Sequence, residues 1–332
     1  MTTHQTAAAA RIDEQVATHN SPRDLLACMM LIRAFEEQNR TLNAAGNFPG
    51  TCTSVGQEAS AAGVIRALGP DDLILTNHRS AGHLLARGAD PGRLLAEIMG
   101  RATGYCKGKS GSLHISAKEL GVILTSTIVG AELSLATGVA LSQTLLKRAG
   151  ITACFFGDGA ACEGSFHESL NLAAVWQLPI LYVCENNQWQ AYVHRRETMR
   201  TEHISSRAAA YGIDALTVDG NDVAAVHAAA AEAAARVRKT GQPFLLETYT
   251  YRLRGHYEPD DQSYVDPQEL AEWTAKDPID RLREELLANK TLSAAELAQM
   301  QQDIQQTVED AMAFASASPF PALAELVTDV YA

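Results

Sequence analysis

The 332-residue sequence has no excess of basic residues and no long hydrophobic run. Its 27 lysines and arginines are outnumbered by 39 aspartates and glutamates, which gives a formal charge of −12. Such a charge disfavours nucleic acid and anionic membrane surfaces as partners. No apolar segment reaches the length that spans a bilayer, and the N-terminal segment MTTHQTAAAARIDEQ lacks the pattern of a secretory signal. We therefore expect a cytoplasmic protein.

Cysteine is scarce, and none of the six cysteines forms a CxxC pair. Cys28, Cys154 and Cys184 lie in apolar runs, which predicts reduced thiols in the core rather than disulfides or a zinc site.

Nucleotide-binding motifs are also missing. No GxGxxG follows an apolar run, and Gly104 and Gly108 are too close in sequence to form a P-loop with the following Lys-Ser. Neither nicotinamide binding nor P-loop nucleotide binding is supported.

Hydrophobic residues make up 46% of the chain, which is enough for one large domain or two small ones. Short apolar runs alternate with helical patterns through the middle of the sequence. Continuous apolar strands are typical of a parallel sheet that helices cover. The predicted strands are residues 72–76, 151–156, 178–184, 214–220 and 243–253. We predict an α/β fold with a doubly wound, mostly parallel sheet and helices on both faces.

Helix signals mark both ends of this α/β region. Ser21 is followed by a proline and by Asp24, so a capped helix is expected from there to about Leu42. From Asp266 onward the pattern is helical only, and Ser293 opens a second capping box. We expect three parts: an N-terminal tail (1–20), an α/β domain (21–265) and a C-terminal helical extension packed on the flank of the sheet (266–332).

Polar clusters follow four of the predicted strands. The carboxyl ends of parallel strands meet at one edge of an open sheet, where ligands bind. Carboxylate and amide oxygens suit Mg²⁺ or Ca²⁺, while glycines and a helix N-terminus suit an anion. The combination of one acid, one amide, a helix start and an arginine indicates a diphosphate bridged by a divalent metal. The clusters are Asn77-His78-Arg79, Gly157-Asp158-Gly159, Asn186-Asn187 and Gly255-His256.

Each cluster alone is a common turn, but two of them have an informative spacing. The GDG and NN motifs are separated by residues 160–185, which is room for one helix and one strand. This arrangement resembles the thiamine diphosphate motif. The resemblance implies that Asp158 and the Asn187 side chain bind Mg²⁺ together with the Trp189 carbonyl.

Further segments extend the resemblance from about Ser21 to the C-terminus. The chain resembles the alpha subunit of thiamine-diphosphate-dependent acetoin or 2-oxo acid dehydrogenases, their first, decarboxylating or C–C-cleaving component. The RGHxxxDxxxY spacing is nearest to acetoin-type members. The segments that carry the resemblance are GQEA (56–59), HR (78–79), AEIMGRATGYCKGKSGSLH (96–114), IVG (128–130), FFGDGAACEGSFHESLNLAAVW (155–176), CENN (184–187) and YRLRGHYEPDDQSY (251–264).

The resemblance also implies roles for individual residues. Val129 matches the residue that props the cofactor in its bent shape, and the Thr127 carbonyl would accept a hydrogen bond from the cofactor's amino group. His256 matches the catalytic histidine of a flexible loop that also contacts the cofactor, while Asp260 and Tyr264 match residues that order this loop. Cofactor-binding positions around the diphosphate are matched by His78, Arg79, Gly157, Asp158, Gly159 and Asn187.

Several other positions depart from the family pattern. Cys52 lies in a segment that lacks the histidine of pyruvate-type members, and Ala81 stands where a histidine is usual. Gln190 belongs to an altered segment after the NN motif, and Val265 replaces a loop arginine. Tyr257 stands at the serine that is phosphorylated in some relatives, so that regulation is not expected. The cofactor residues match while the substrate-facing ones differ, which leaves the substrate open.

In this class of enzyme the cofactor also needs a glutamate from a pyrimidine-binding domain, and one doubly wound unit is recognisable here. The resemblance therefore implies a beta subunit that supplies the glutamate in an α2β2 assembly, and a lipoyl-bearing acyltransferase that accepts the acyl group. Acetoin or a related hydroxyketone is the leading substrate; pyruvate or a branched 2-oxo acid is the alternative. A split transketolase-like carboligase, which the match through 254–264 disfavours, and a non-catalytic Mg²⁺-diphosphate-binding module also stay open.

Overall fold

A six-stranded sheet forms the centre of the protein, for which a computed structural model describes residues 20–330. All pairings in this sheet are parallel, and the predicted fold class is confirmed. The tail predicted for residues 1–20 lies outside the described residues, apart from Asn20. The strands are β1 (Leu73–Asn77), β2 (Val122–Ser126), β3 (Thr152–Gly157), β4 (Ile180–Asn186), β5 (Trp189–Gln190), β6 (Val193–His194), β7 (Asp214–Asp219) and β8 (Phe244–Tyr249).

The strand order in the sheet is β2-β1-β3-β4-β8-β7, and β5 and β6 form a separate antiparallel ribbon. Strands β3 and β4 are adjacent, as their shared helical connection predicts, and Gly157 at the end of β3 is in register with Glu185. The loops that follow these two strands therefore leave the sheet side by side at its carboxyl edge.

Helices cover both faces of the sheet, because alternate residues of the central strands point to opposite sides. Ala153 and Phe155 belong to one apolar cluster, and Cys154 and Phe156 belong to the other. The helices are α1 (Pro22–Ala44), α2 (Glu58–Arg66), α3 (Ala81–Ala86), α4 (Pro91–Ile98), α5 (Ala131–Leu145), α6 (Gly164–Trp176), α7 (Arg195–Thr198), α8 (Val223–Thr240), α9 (Pro267–Thr274), α10 (Pro278–Ala288) and α11 (Ala294–Ala317).

Different helices form the layers on the two faces of the sheet. Helices α1, α2 and α8 pack in the first apolar cluster, and α5 and α6 pack in the second. The long helix α11 packs mainly on α4 and α1, so it extends the helical layer instead of lying directly on the strands. Both capping boxes are confirmed, at Ser21 and at Ser293. Cys28, Cys154 and Cys184 are buried free thiols, as predicted.

Strand β2 was not predicted from the sequence. It lies at the edge of the sheet beside β1, and its apolar run is limited to Val122, Ile123 and Leu124, which is too short to mark a strand by itself. The last predicted strand, 243–253, is too long, because the sheet strand ends at Tyr249. Of the following residues, Thr250 donates a hydrogen bond to the carbonyl of Asn186 at the end of β4, and the next bonds go to carbonyls outside the sheet, those of Asn187 and Val55.

In residues 20–330 we find no helix with the combination of length and apolarity that a membrane span requires.

A buried acid on α1 predicts pH-dependent stability. Glu36 Oε1 accepts hydrogen bonds from the Ser54 backbone N–H at 3.1 Å and from its hydroxyl at 2.9 Å, and burial raises the pKa of Glu36 to about 7. Because this value exceeds that of an unfolded glutamate, stability is lost as pH rises from about 4.5 to about 7. We expect Glu36→Gln to gain roughly 2–3 kcal/mol relative to wild type between pH 5 and pH 8. Urea unfolding of both proteins at pH 5 and pH 8 tests this. A difference in unfolding free energy between Glu36→Gln and wild type that is the same at both pH values would contradict it.

Candidate cofactor site at the carboxyl edge of the sheet

A cavity of about 310 Å³ lies at the carboxyl edge of the sheet. It is lined by residues that follow β1, β2, β3 and β4, together with a histidine from the loop after β8. Thr127 is the predicted site residue that does not line it: its hydroxyl pairs with His114 Nε2 at 3.1 Å. The predicted residues that line the cavity are His78, Arg79, Val129, Gly157, Asp158, Gly159, Asn187, Trp189 and His256.

Asp158 is the first residue after β3 and is 1% exposed. Neither of its carboxylate oxygens has a hydrogen-bond partner among residues 20–330. Burial raises the pKa of Asp158 to about 6, against the opposing effect of Arg252 and Arg195. A buried carboxylate without partners is destabilising unless a cation pairs with it. The free oxygens of Asp158 therefore fit a divalent cation.

Asn187 is oriented by two hydrogen bonds. Its Nδ2 donates to Gln57 Oε1 at 3.0 Å, and its Oδ1 accepts from the Trp189 backbone N–H at 3.1 Å. The amide oxygen retains a second lone pair for a further partner. Within the described chain no three His, Cys, Asp or Glu side chains are grouped to hold a metal. The predicted Mg²⁺ ligands form no such group, because they comprise one carboxylate, one amide oxygen and one carbonyl.

Arg79 connects the loop after β1 to the loop after β8. Its Nη1 donates to the Thr53 carbonyl at 2.7 Å, and its Nη2 donates to the His256 carbonyl at 2.8 Å and lies 3.2 Å from His256 Nδ1. Burial lowers the pKa of His78 to about 3, and burial with the nearby Arg79 lowers the pKa of His256 to about 4. Both imidazoles are neutral at pH 7, so Arg79 is the permanent cation of this group.

The loop that carries His256 is held by Asp260. Its Oδ2 accepts hydrogen bonds from the His256 backbone N–H at 2.5 Å and from the Tyr264 hydroxyl at 2.7 Å. Tyr264 in turn accepts a hydrogen bond at 2.7 Å from Arg252, which is almost fully buried. The Tyr192 ring packs edge-on against His256, with ring centroids 5.2 Å apart. The loop is therefore tied both to itself and to the cavity wall.

Several cavity residues were missed in the sequence, and three of them have buried polar side chains that bear on the site. Glu185 accepts a hydrogen bond from Asn77 Nδ2 at 3.0 Å and lies 3.0 Å from His83 Nε2; its place in the CENN segment was the available signal. Gln57 lies in the GQEA segment and orients Asn187. Glu132 lies in the first turn of α5, and no feature of the sequence marks it.

Four of the five departures from the family pattern have different surroundings. Gln190 lines the cavity beside Gly159. Cys52 is partly buried and close enough for Arg79 to lower its pKa, although burial raises that pKa more. Ala81 begins α3 and packs against the core, and Val265 packs in a small cluster with Trp189 and Tyr251.

The cavity brings together nine of the ten predicted site residues. Comparison with known proteins identifies the family. The family model "Dehydrogenase E1 component" matches residues 27–324. This chain is 42% identical to the alpha subunit of an acetoin:2,6-dichlorophenolindophenol oxidoreductase from Bacillus subtilis. The alignment covers 91% of this chain and 91% of that relative. The chain is 39% identical to the pyruvate dehydrogenase E1 component subunit alpha of Zymomonas mobilis, with 91% of the chain and 86% of the relative covered. It is 37% identical to an acetoin:2,6-dichlorophenolindophenol oxidoreductase alpha subunit of Cupriavidus necator, with 91% of the chain and 92% of the relative covered. The resemblance is confirmed, and the chain belongs to the dehydrogenase E1 component family.

Proposed function

We propose that this chain is the alpha subunit of a thiamine-diphosphate-dependent enzyme that cleaves acetoin or a related hydroxyketone and passes the acyl group to a lipoyl acceptor. The family implies thiamine diphosphate, which when bound allows a C–C bond next to a carbonyl carbon to be cleaved. The observation that carries the proposal is Asp158, a buried acid with two free oxygens beside Asn187.

The cavity offers separate partners for the metal and for the diphosphate. Asp158, Asn187 and the Trp189 carbonyl would hold Mg²⁺. Arg79, with its permanent charge, and His78 would bind the diphosphate. Helix α6 supports this, because its N-terminus has no side-chain cap and the N-terminus of a helix favours an anion. Gly157 and Gly159 let the backbone approach the ligand closely; a Cβ on Gly157 would meet no atom within 4 Å.

His256 is the proposed catalytic residue. Arg79 has only donors, so the contact at 3.2 Å makes His256 Nδ1 an acceptor and leaves the proton of the neutral imidazole on Nε2. A histidine in this state can donate its Nε2 proton to a substrate or acyl-acceptor oxygen. Asp260 and Tyr264 fix the backbone that carries it, and Val129 and the Thr127 carbonyl would support the cofactor ring.

Acetoin is favoured over pyruvate by two observations. The RGHxxxDxxxY spacing of the loop is nearest to acetoin-type members, and the segment around Cys52 lacks the histidine of pyruvate-type members. Sequence identity favours acetoin only slightly, because the chain is 42% identical to an acetoin-type relative and 39% identical to a pyruvate-type relative. Pyruvate or a branched 2-oxo acid is therefore the second candidate substrate.

An exposed apolar surface beside the cavity supports a second subunit. Helix α5 contains one charged residue, Glu132, which is buried, while Leu135 and Leu145 are exposed. Trp176 on the neighbouring helix α6 and Val129 at the cavity are also about half exposed. Surfaces of this kind mark protein contacts. We propose that a beta subunit covers this surface and supplies the missing glutamate in a cytoplasmic α2β2 assembly that serves a lipoyl-bearing acyltransferase.

A substrate panel on the co-expressed alpha and beta chains tests the proposed function. The measurement is reduction of an artificial electron acceptor with acetoin, pyruvate and branched 2-oxo acids. Turnover with acetoin supports the proposal, and turnover with 2-oxo acids alone supports the second candidate. Ketol transfer between sugars without acceptor reduction would identify a carboligase. Mg²⁺-dependent cofactor binding without any turnover would identify a non-catalytic module.

Cofactor binding should protect the loop around His256 from proteolysis. Residues 255–266 are rich in polar and turn-forming residues, and they contact the cavity through Arg79. A bound diphosphate adds an anionic partner for this contact, so we expect slower cleavage in the loop when thiamine diphosphate and Mg²⁺ are present. Mass spectrometry of limited digests identifies the cleavage sites. Equal cleavage with and without cofactor would refute the prediction that the cofactor orders this loop.

A companion variant separates catalysis from binding at this loop. We expect His256→Ala to reduce lipoyl-linked turnover by about a hundredfold, in the range of a lost acid–base group, with a much smaller loss of cofactor affinity. Arg79 and the metal ligands would still hold the diphosphate. His167→Ala, which changes an exposed histidine on α6, is the matched control. Normal turnover by His256→Ala would exclude this histidine from the reaction.

A further inference from the structure

Glu132 is a cavity residue for which the proposed function has no role. Its side chain lines the cavity and is 2% exposed, and its Oε2 has no hydrogen-bond partner in the described part of the chain. A carboxyl group that served only the packing of α5 would have its oxygens satisfied by neighbouring donors. The free Oε2 of Glu132 therefore points to a partner that binds in the cavity.

Within residues 20–330, the groups that shift the pKa of Glu132 include no cation that would balance its charge. Burial raises the pKa of Glu132 to about 7, and the effects that oppose burial come from the backbone N–H groups of Gly130 and Glu132. These N–H groups belong to the start of α5, where the helix dipole favours a negative charge. Glu132 is thus ready to ionise when a positive group is placed beside it, because an opposite charge lowers the pKa of a carboxyl group.

Charge is distributed unequally between the two sides of the cavity. Arg79 and His256 contact each other, and Arg79 is anchored to Thr53 on the side of α1 and α2. On the other side, Glu132 in the first turn of α5 and Glu163 at the N-cap of α6 line the cavity. A ligand that carries negative charge at one end and positive charge at the other would match both sides.

We infer that Glu132 is the counter-charge for the positively charged thiazolium ring of the bound cofactor. The inference rests on the proposed function, since thiamine diphosphate joins an anionic diphosphate to a ring with a permanent positive charge. Val129, the residue proposed to support the ring, lies three residues before Glu132 in the sequence, and both residues line the cavity. In a site closed to water, such an ion pair is stronger than in solution.

Three ligands distinguish this role from a structural one. The assembled alpha–beta protein is titrated at pH 8 by calorimetry, with Mg²⁺ present, using thiamine diphosphate, thiamine thiazolone diphosphate (whose ring is uncharged) and inorganic diphosphate. We expect Glu132→Gln to weaken thiamine diphosphate binding at least about tenfold, since one charge pair in a low-dielectric site is lost. Binding of the other two ligands should change less than about twofold, within the ordinary effect of a neutral substitution.

Two control variants complete the experiment. Glu163→Gln removes an exposed acid from the same side of the cavity, and we expect it to have little effect because solvent screens its charge. Asp158→Ala should weaken the binding of all three ligands. Equal affinity of wild type and Glu132→Gln for thiamine diphosphate, or an equal loss for the charged and uncharged rings, would overturn the inference alone. Failure of the wild type to bind thiamine diphosphate would overturn the proposed function and the inference with it.

Discussion

Asp158→Ala is expected to abolish Mg²⁺-dependent binding of thiamine diphosphate while the protein remains folded. The substitution removes the single carboxylate among the proposed metal ligands. Loss of one member of a buried charge pair costs about 3–5 kcal/mol, so affinity should fall at least about a hundredfold. Calorimetric titration of the assembled protein with cofactor and Mg²⁺ measures this loss. Asn187→Ala should act in the same direction.

The stability of the Asp158→Ala protein gives an independent measure of the same site. Without metal, the wild-type carboxyl group is buried and unpartnered, which destabilises the folded state. We therefore expect the melting temperature of the metal-free variant to equal or exceed that of the wild type. Asp219→Ala is the matched control, because Asp219 ends β7 outside the cavity and pairs with Arg281. Unchanged cofactor affinity in Asp158→Ala would refute the assignment of the metal site.

The chain purified alone is expected to turn over no substrate, and the co-expressed pair is expected to be active. Residues 20–330 contain one parallel sheet with one cofactor cavity at its edge, and the proposed glutamate belongs to the partner. Val129, the proposed support of the cofactor ring, is 50% exposed without that partner. Turnover and cofactor affinity of the two preparations are compared directly. Appreciable turnover by the homogeneous single chain would rule out a split site.

A pair of surface variants locates the contact. Leu135→Glu places a charge in the exposed apolar surface of α5, and we expect it to prevent co-purification with the beta chain because an unpaired charge is costly to bury. Leu323→Glu is the matched control: Leu323 is an exposed leucine of the C-terminal segment that follows α11. If Leu135→Glu assembles as well as Leu323→Glu does, the beta subunit does not cover this surface of α5.

Local signals in the sequence were sufficient for most of the fold. The runs around Phe155 and Val183 are buried on both faces, so they are continuously apolar and predict strands without knowledge of their neighbours. The capping boxes at Ser21 and Ser293 depend on residues three positions apart. The edge strand β2 lacks a decisive signal, because an apolar run of three residues does not by itself distinguish a strand, and β2 is defined by its pairing with β1, which is distant in the sequence.

The cavity likewise combines features that local sequence patterns predict with features that depend on long-range contacts. The sequence was sufficient to predict that polar residues follow β1, β3 and β4, and the order of the strands then brings Arg79, Asp158 and Asn187 to one edge. Which of these side chains have partners depends on the packing of the whole domain. Asp158 is left with free oxygens, while Asn187 is oriented by Gln57, a residue distant in the chain. Glu132 is buried beside the cavity although its own helix has no signal for it. Burial and pairing arise from contacts between residues far apart in sequence, and local patterns do not carry that information.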